Sequence, residues 1–525
     1  MMDKQAPSIF NDVIGPIMRG PSSSHVAGAA RIGALVRQAV GGDIRRVVVD
    51  FDVNGSLAES HEGHGTDMGF ACGILDIPLT DARVDQYRSL VAENGIDLEY
   101  RILDYGAEHP NHYRIAVTDG NDRTVFLDAI STGGGMIEMI ALEGFRVSVM
   151  GDYYENCYIV SGAAEQETMK QFLTDHISSF ELLSVSEKDG RACVNVKTSK
   201  ALTEEEKQCV EEQWKPEKVY YFYPVLPTHS SGNCQVPFTN AKELLEYNKE
   251  KKLELWELAV LYESVRGGTT KEHVTEQMTE LVELMSRAAS DGLAGTVYED
   301  RILHAQAHLM SEGEKQERLV PGTVMNLAIQ YITAIMEAKS AMKVIVAAPT
   351  AGSCGCLPGT LLGMEKALGK TREETVKAML AAGLIGVFFA AGATFAAEVG
   401  GCQMECGAGS GMAAAGVAQM MGATAEDCLD AASVALQGLT GLVCDPVANR
   451  VEVPCLNKNI VGGMNALSSA NMVLSGFDKV IPLDETIAAM YDIGLKLPLE
   501  LRCTFGGLGK TRTSLEIRKK LEENR

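Results

Sequence analysis

The chain has 525 residues, of which 46% are hydrophobic, 22% charged and 6% aromatic, with a formal net charge of −23. At roughly 100–200 residues per domain, that length predicts three or four compact units with sizeable cores, and the composition is globular rather than disordered. So acidic a surface is repelled by phosphate backbones and anionic lipid, which excludes nucleic acid and membrane surfaces as first partners. The 13 cysteines are an odd number in a chain too long to need disulfide staples.

The stretch from Met1 to Arg19 lacks a basic start followed by an apolar run, so no signal peptide is expected. The expected compartment is then the reducing cytoplasm, where thiols stay free or bind metal. From residue 1 to 145, β-like runs alternate with helical ones. Arg46–Asp50 and Phe51–Val53 are predicted strands, and Val26–Val40 is a predicted helix with its start signal just upstream. Residues 146–200 read as a small sheet module. Its predicted strands are Phe145–Met150, Cys157–Val160 and Ala192–Val196, with a helix over Glu165–His176. Residues 201–238 read as a connector, with a charged helix at Glu204–Glu212 and then Pro224, Pro227, Ser230, Ser231 and Gly232.

From residue 239 to 525 helical patterns take over: Lys242–Glu263, Thr270–Ala289, Val324–Lys339, Arg372–Ala397 and Gly411–Met421, with Val344–Val346 as a rare strand candidate. The uncharged run Ala378–Ala397 could just span a bilayer. Its Ala and Gly content suits a buried helix in a helical domain better. The fold class expected is multidomain α+β, with an α/β-type N-terminal domain, a small α+β module and a mainly helical C-terminal domain.

Five clusters carry candidate chemistry. Gly20-Pro-Ser-Ser-Ser-His25 precedes the first long helix. Ser22, Ser23 and Ser24 there either cap the helix or, with its free N–H groups and dipole, seat a substrate carboxylate. Gly55-Ser56 is followed by His61-Glu62-Gly63-His64-Gly65-Thr66-Asp67. His61 and His64 could ligate a metal or move protons, or the segment could be a polar loop with Thr66 and Asp67 as helix caps. Ser131-Thr-Gly-Gly-Gly135, with Gly134 at its centre, is a flexible turn or a loop whose backbone approaches a ligand. Pro349-Thr350-Ala-Gly352-Ser-Cys354-Gly-Cys356 lies between a strand-like run and a helix, where ligands meet backbone amides. Its thiols read by default as small buried residues.

The fifth cluster is Cys402, Cys444 and Cys455. Each sits beside Gly or Pro at an expected element end. Either they are three separate core thiols, or they hold a soft metal group: an iron–sulfur cluster, zinc or copper. Three ligands rather than four would leave one metal position open to substrate.

Taken together, Gly20–His25, Gly55-Ser-Leu-Ala58 with Gly63–Asp67, Pro349–Gly355, Gly401-Cys-Gln403, Cys444-Asp-Pro-Val447 and Pro454-Cys455 occur in an order that resembles the iron–sulfur-dependent L-serine dehydratases (L-serine ammonia-lyases). The likeness covers most of the chain. Residues 1–200 resemble the family's β part and residues 239–525 its α part, fused here. The resemblance implies a [4Fe–4S] cluster on Cys402, Cys444 and Cys455, matching a Cys-x41-Cys-x10-Cys pattern, and no pyridoxal phosphate. It implies elimination of water from L-serine to give pyruvate and ammonium, with His25 or His64 as the base. Ser22–Ser24 would take the carboxylate, and Gly55, Ser56, Thr66, Asp67, Gly134, Thr350 and Gly352 would line the substrate. Related substrates, L-threonine or L-cysteine, and a silent amino-acid sensor with the same fold are alternatives.

Three departures stand out. Ser410 occupies a position where family members often carry a further cysteine, and Cys406 is an addition. Some fused members end in a cysteine tail that caps the open iron at rest. This chain runs to Arg525 without one, and Cys503 is the nearest candidate. The module at 146–200 stands where the family has a small regulatory domain of the ACT type, without that domain's Arg-Pro-Gly turn. A homodimer is the expected assembly.

Overall fold

The computed structural model describes residues 6–20, 22–162, 165–230, 234–298 and 301–523, with backbone only for Glu59 and Ser60. Pro21, Ser231 and Gly232 of the segments above lie outside the described residues. The architecture is mixed α+β: sheets with helices toward the N-terminus, a mostly helical region toward the C-terminus. The chain divides into two compact units. One contains Ser24–Cys234, the other the N-terminal residues up to Ser23 together with Gln235 onward.

In the first unit, a six-stranded sheet runs in the order Asp97–Leu103, Arg46–Asp52, His112–Thr118, Thr124–Gly133, Met136–Leu142, Phe145–Val149. Only the first pair is parallel. The two short strands expected at Arg46–Val53 are one, because Val47, Val49 and Phe51 alternate inward along a single buried face. The helix Ser23–Ala39 covers this sheet with Ile32, Leu35 and Val36. It starts inside the serine run, three residues before the expected Val26.

A second, four-stranded antiparallel sheet orders Lys218–Phe222, Tyr154–Ser161, Arg191–Thr198 and Phe180–Lys188. With helices Gln166–His176 and Glu204–Trp214 the element order is βαββαβ. Its last helix and strand come from residues read above as a connector. The aromatic, β-prone run Val219-Tyr-Tyr-Phe222 closes the sheet against Tyr154–Ser161.

The helical unit begins with an N-terminal strap. Tyr262 donates to the Pro7 carbonyl at 2.8 Å, and Glu263 accepts from the Ile9 N–H at 2.8 Å and from the Ser8 hydroxyl. Ile17–Met18 then pairs antiparallel with Ile345–Val346. The pattern expected as one helix over Lys242–Glu263 is two, Ala241–Asn248 and Leu255–Arg266. Asn248 breaks it by bonding the Leu253 N–H and carbonyl, each at 2.9 Å. Helices Thr323–Ser340, Cys356–Leu368, Arg372–Gly392, Cys406–Met420, Ala425–Leu439, Glu452–Leu474 and Leu483–Leu495 follow. Among the described residues one helix, Arg372–Gly392, is long and apolar enough to cross a membrane, and its residues from Ala378 to Phe389 are buried within this unit.

Candidate functional site

The candidate histidines lie in the first unit. Helix Thr66–Leu75 crosses helix Ser23–Ala39 almost backbone to backbone. A Cβ at Gly69 would lie 2.2 Å from the Val26 carbonyl oxygen, and one at Gly73 only 2.1 Å from that of Ala30. Glycine is therefore required at both positions. The crossing brings the loop before one helix onto the start of the other. His25 and His64 meet edge to face with ring centroids 4.8 Å apart. His25 is buried. Burial, and then the nearby His64, hold its pKa well below the usual imidazole value, so it is a neutral proton acceptor at neutral pH.

His61 behaves in the opposite way. Its Nδ1 lies 2.7 Å from Asp67 Oδ1. That hydrogen bond, opposed in part by burial, raises the His61 pKa. Asp67 thus has a partner on its own loop, and Thr66 is fully buried near the Tyr113 hydroxyl. Gly55 is packed tightly, since a Cβ there would fall 2.8 Å from the Pro110 carbonyl oxygen. The Ser56 N–H donates to that same carbonyl at 2.9 Å, and its hydroxyl donates to Asn111 Oδ1 at 2.8 Å. Ser131 donates to the Ser24 carbonyl at 2.9 Å, fixing the serine loop. Gly133, Gly134 and Gly135 all take positive φ in the turn joining two strands. The Cβ position of Gly134 is open space. Ser22 is half-buried and Ser23 buried where the helix starts.

The candidate thiols lie in the helical unit. Cys402 opens a short turn whose next residue, Gln403, is fully buried. Gln403 N–H donates to the Leu442 carbonyl at 2.9 Å, and its side-chain oxygen accepts from Gly441 N–H at 2.8 Å. Those two bonds stitch the Cys402 turn to the loop that carries Cys444. Cys444 is held in turn by Leu501 and Cys503: its N–H donates to the Leu501 carbonyl at 2.9 Å, and its carbonyl accepts from Cys503 N–H at 3.0 Å. Cys455 occupies the first turn of helix Glu452–Leu474. One turn on, Asn459 donates to the carbonyls of Cys455 (2.7 Å) and Gly352 (2.8 Å), while its oxygen accepts from Cys356 N–H at 2.8 Å and Gly355 N–H at 3.2 Å. The loop after Pro349 is thereby tied to Cys455. Thr350 donates to Glu405 Oε1 at 2.7 Å, and a Cβ on Gly352 would lie 2.8 Å from the other Glu405 oxygen.

Cys402, Cys406 and Cys444 form one buried cluster with Cys503 against it. The Cys444 thiol is pushed up by its hydrogen bond with Cys503 and by burial; burial does the same to Cys455, where the charges of Cys402 and Cys444 also act. The thiols therefore sense one another. Two cations stand by them. Lys458 pairs with Asp445 at 2.5 Å and feels the negative charge of Cys402 and Cys444. Lys339 is 1% exposed and its ammonium has no hydrogen-bond partner. Soft donors gathered from three elements, with buried positive charge beside them, fit an anionic thiolate-bound cluster. Among the described residues, no three His, Cys, Asp or Glu side chains converge as they would on a single metal ion. A cluster asks for less convergence, because each thiolate binds its own iron.

Sequence reasoning quoted Gln403 in a motif without giving it a role, and passed over Glu405, Asn459 and Lys339. Gln403 and Glu405 adjoin Cys402 and could have been found as polar residues flanking a ligand in an otherwise apolar run. Asn459 and Lys339 sit within long helical patterns, where spacing gives no such signal. By contrast Cys193 is a core residue of the first unit, as expected of an ordinary thiol.

Buried thiols on helix ends lie in one unit and an imidazole pair in the other, and the proteins that this chain is similar to place it among the lyases. The family described as "Serine dehydratase alpha chain" matches residues 250–508. The probable L-serine dehydratase alpha chain of Bacillus subtilis (strain 168) is 38% identical over 285 residues, 54% of this chain and 95% of that protein. The probable beta chain from the same organism is 42% identical over 146 residues, 28% of this chain and 64% of that one. The L-serine dehydratase of Helicobacter pylori is 26% identical over 507 residues, 94% of this chain and 96% of that protein. The chain belongs to the L-serine dehydratase family and joins parts similar to its beta and alpha chains in a single polypeptide.

Proposed function

We propose that this enzyme eliminates water from L-serine to give pyruvate and ammonium, using a [4Fe–4S] cluster held by Cys402, Cys444 and Cys455. The observation that carries the reading is the buried cluster that holds Cys402, Cys406 and Cys444, to which Asn459 ties Cys455 by donating both to the Cys455 carbonyl and to the Cys406 sulfur. When bound, a cluster with one iron free of protein thiolate supplies a Lewis acid for the substrate hydroxyl.

The chain's own residues supply the rest. His25, kept neutral by burial, is suited to accept the Cα proton, and His64 beside it is the other candidate base. Ser22, Ser23 and Ser24 at the start of a 17-residue helix offer hydroxyl and N–H donors to the carboxylate. Gly55, Ser56, Thr66, Asp67, Gly134, Thr350 and Gly352 are assigned to substrate binding. In this reading Asp67 acts through His61, which it holds by hydrogen bond. Thr350 acts through Glu405. Cys503, bonded to Cys444, is the residue suited to cap the open iron at rest. The βαββαβ module is assigned to the small regulatory domain of the family.

The test is anaerobic purification followed by iron and sulfide analysis and a pyruvate assay with L-serine, L-threonine and L-cysteine. The expected result is four irons per chain and turnover fastest on L-serine. Protein that carries no cluster under those conditions overturns the reading, and faster turnover of another substrate reassigns it.

A further inference from the structure

Asn111 follows His109 and Pro110 in the loop that leads from strand Asp97–Leu103 into strand His112–Thr118, and it is buried. A buried amide opposes folding unless its donors and its acceptor are met. All four polar atoms of Asn111 have partners. Its N–H donates to His109 Nδ1 at 3.1 Å, and its carbonyl accepts from Ser131 N–H at 3.1 Å. Its side-chain oxygen accepts from the Ser56 hydroxyl at 2.8 Å, and its Nδ2 donates to the Ser131 carbonyl over a longer 3.5 Å.

The partners lead to three segments of the candidate site, all in the first unit. Ser56 N–H donates to the Pro110 carbonyl at 2.9 Å, and a Cβ on Gly55 would fall 2.8 Å from the same oxygen. The Gly55-Ser56 loop therefore rests on Pro110 and Asn111 by main chain and side chain alike. Ser131 reaches the other way. Its hydroxyl donates to the Ser24 carbonyl at 2.9 Å, and a Cβ on Gly28 would lie 2.7 Å from that hydroxyl oxygen. Ser131 thus sits on the first turns of helix Ser23–Ala39, beside His25. At the far end of the glycine turn, Arg31 donates to the Gly135 carbonyl at 2.6 Å. Both ends of Ser131–Gly135 are fastened to one helix, and Gly134 stands between them with open space at its Cβ position.

We propose that Asn111 is a positioning residue for the substrate, setting the Gly55-Ser56 loop and the Ser131–Gly135 turn at a fixed distance from Ser24 and the start of helix Ser23–Ala39. It acts through Ser56 and Ser131 and takes no part in proton transfer. The inference rests on the reading above, in which these segments receive L-serine. An apolar side chain could fill the same space, but hydrogen bonds fix direction as well as distance. His25 is held by a separate device, the close crossing of its helix at Gly69 and Gly73. Loss of the Asn111 links should therefore weaken substrate binding more than it slows the chemical step.

Asn111→Ala removes both side-chain links and leaves the backbone pair with Ser131. In the anaerobically loaded full chain it should raise KM for L-serine about tenfold, with kcat within about twofold of wild type. Asn111→Asp keeps an acceptor for the Ser56 hydroxyl but turns a charge toward the Ser131 carbonyl, so it should raise KM by less, about threefold. Ser131→Ala cuts the link to Ser24 and should also raise KM. Because it lies on the same path, the double variant with Asn111→Ala should raise KM by less than the product of the two single effects. A wild-type KM in Asn111→Ala overturns the inference. Lower urea resistance with KM and kcat unchanged does so too, since that is how a residue that only stabilises the fold behaves. So do fully multiplicative effects in the double variant. If Asn111→Ala does not fold, Asn111→Asp decides, and a wild-type KM there overturns the inference. Wild-type protein that carries a cluster yet forms no pyruvate from L-serine is a distinct result, which overturns the functional reading itself.

Discussion

His25 and His64 share one edge-to-face contact, with centroids 4.8 Å apart, and burial together with His64 holds His25 neutral far below its usual pKa. Between that depressed value and 6.5, the unfolded chain binds a proton at His25 that the folded chain refuses. Stability therefore rises with pH across this window and is lost as pH falls through 6.5, by as much as ~1.4 kcal/mol per pH unit. His25→Asn should flatten the difference between urea unfolding at pH 7.5 and at pH 5.5. It should also cut kcat by at least ~100-fold if His25 is the base. A variant with wild-type kcat would pass the role to His64.

His61 predicts the reverse sign on the same loop. Its hydrogen bond to Asp67 raises its pKa, so the folded chain holds the proton more tightly than the unfolded one. That contribution is fully present below 6.5 and is lost as pH rises through the folded value. Asp67→Asn should lower the His61 pKa, seen by NMR titration of the ring, and should erase this low-pH gain. An unmoved titration would mean that another group sets the His61 charge.

What could be read from the sequence, and what could not, follows from how each residue announces itself. The serine run and the first helix were legible because caps and apolar period are local. The cysteine triplet stood out only through the resemblance, because spacing alone left three separate core thiols as an open reading. The strand Lys218–Phe222 was missed because its partner, Tyr154–Ser161, lies some sixty residues earlier, and Pro224 and Pro227 nearby suggested a linker. Lys339 was invisible for a different reason. Helix Thr323–Ser340 is buried on nearly every side over its second half, Ile332 to Lys339. A helix without a solvent face has no phase against which a buried lysine looks out of place.

The thiols divide into three classes with different expected outcomes. Cys402→Ser, Cys444→Ser and Cys455→Ser should each lose iron, visible absorption and turnover. Cys193→Ser, in the core of the other unit, should keep all three. Cys503→Ser should still assemble a cluster, because the three ligands remain, yet lose it faster in air, because Cys503 no longer stands against Cys444. Iron content before and after timed exposure to oxygen separates these outcomes. Colour retained in Cys444→Ser would show that the ligand set is different.

Asn459 offers the sharpest test of how the site is braced. Its amide serves four backbone groups at once, the carbonyls of Gly352 and Cys455 and the N–H groups of Gly355 and Cys356, all buried. Asn459→Ala strands those groups without water to replace the side chain. Each buried polar group left unmet costs about 1–3 kcal/mol, with partial relaxation reducing the sum. A loss of about 3–5 kcal/mol is therefore expected for the helical unit, with looser iron binding through Cys455. Asn459→Asp keeps the acceptor and loses the donors, so it should retain the links to Gly355 and Cys356 and give up those to Gly352 and Cys455. Urea unfolding and iron retention measured on both variants check the ranking, with wild type highest, Asp between, and Ala lowest. An Ala variant as stable as wild type would mean that the Pro349 loop and Cys455 are held together by packing alone.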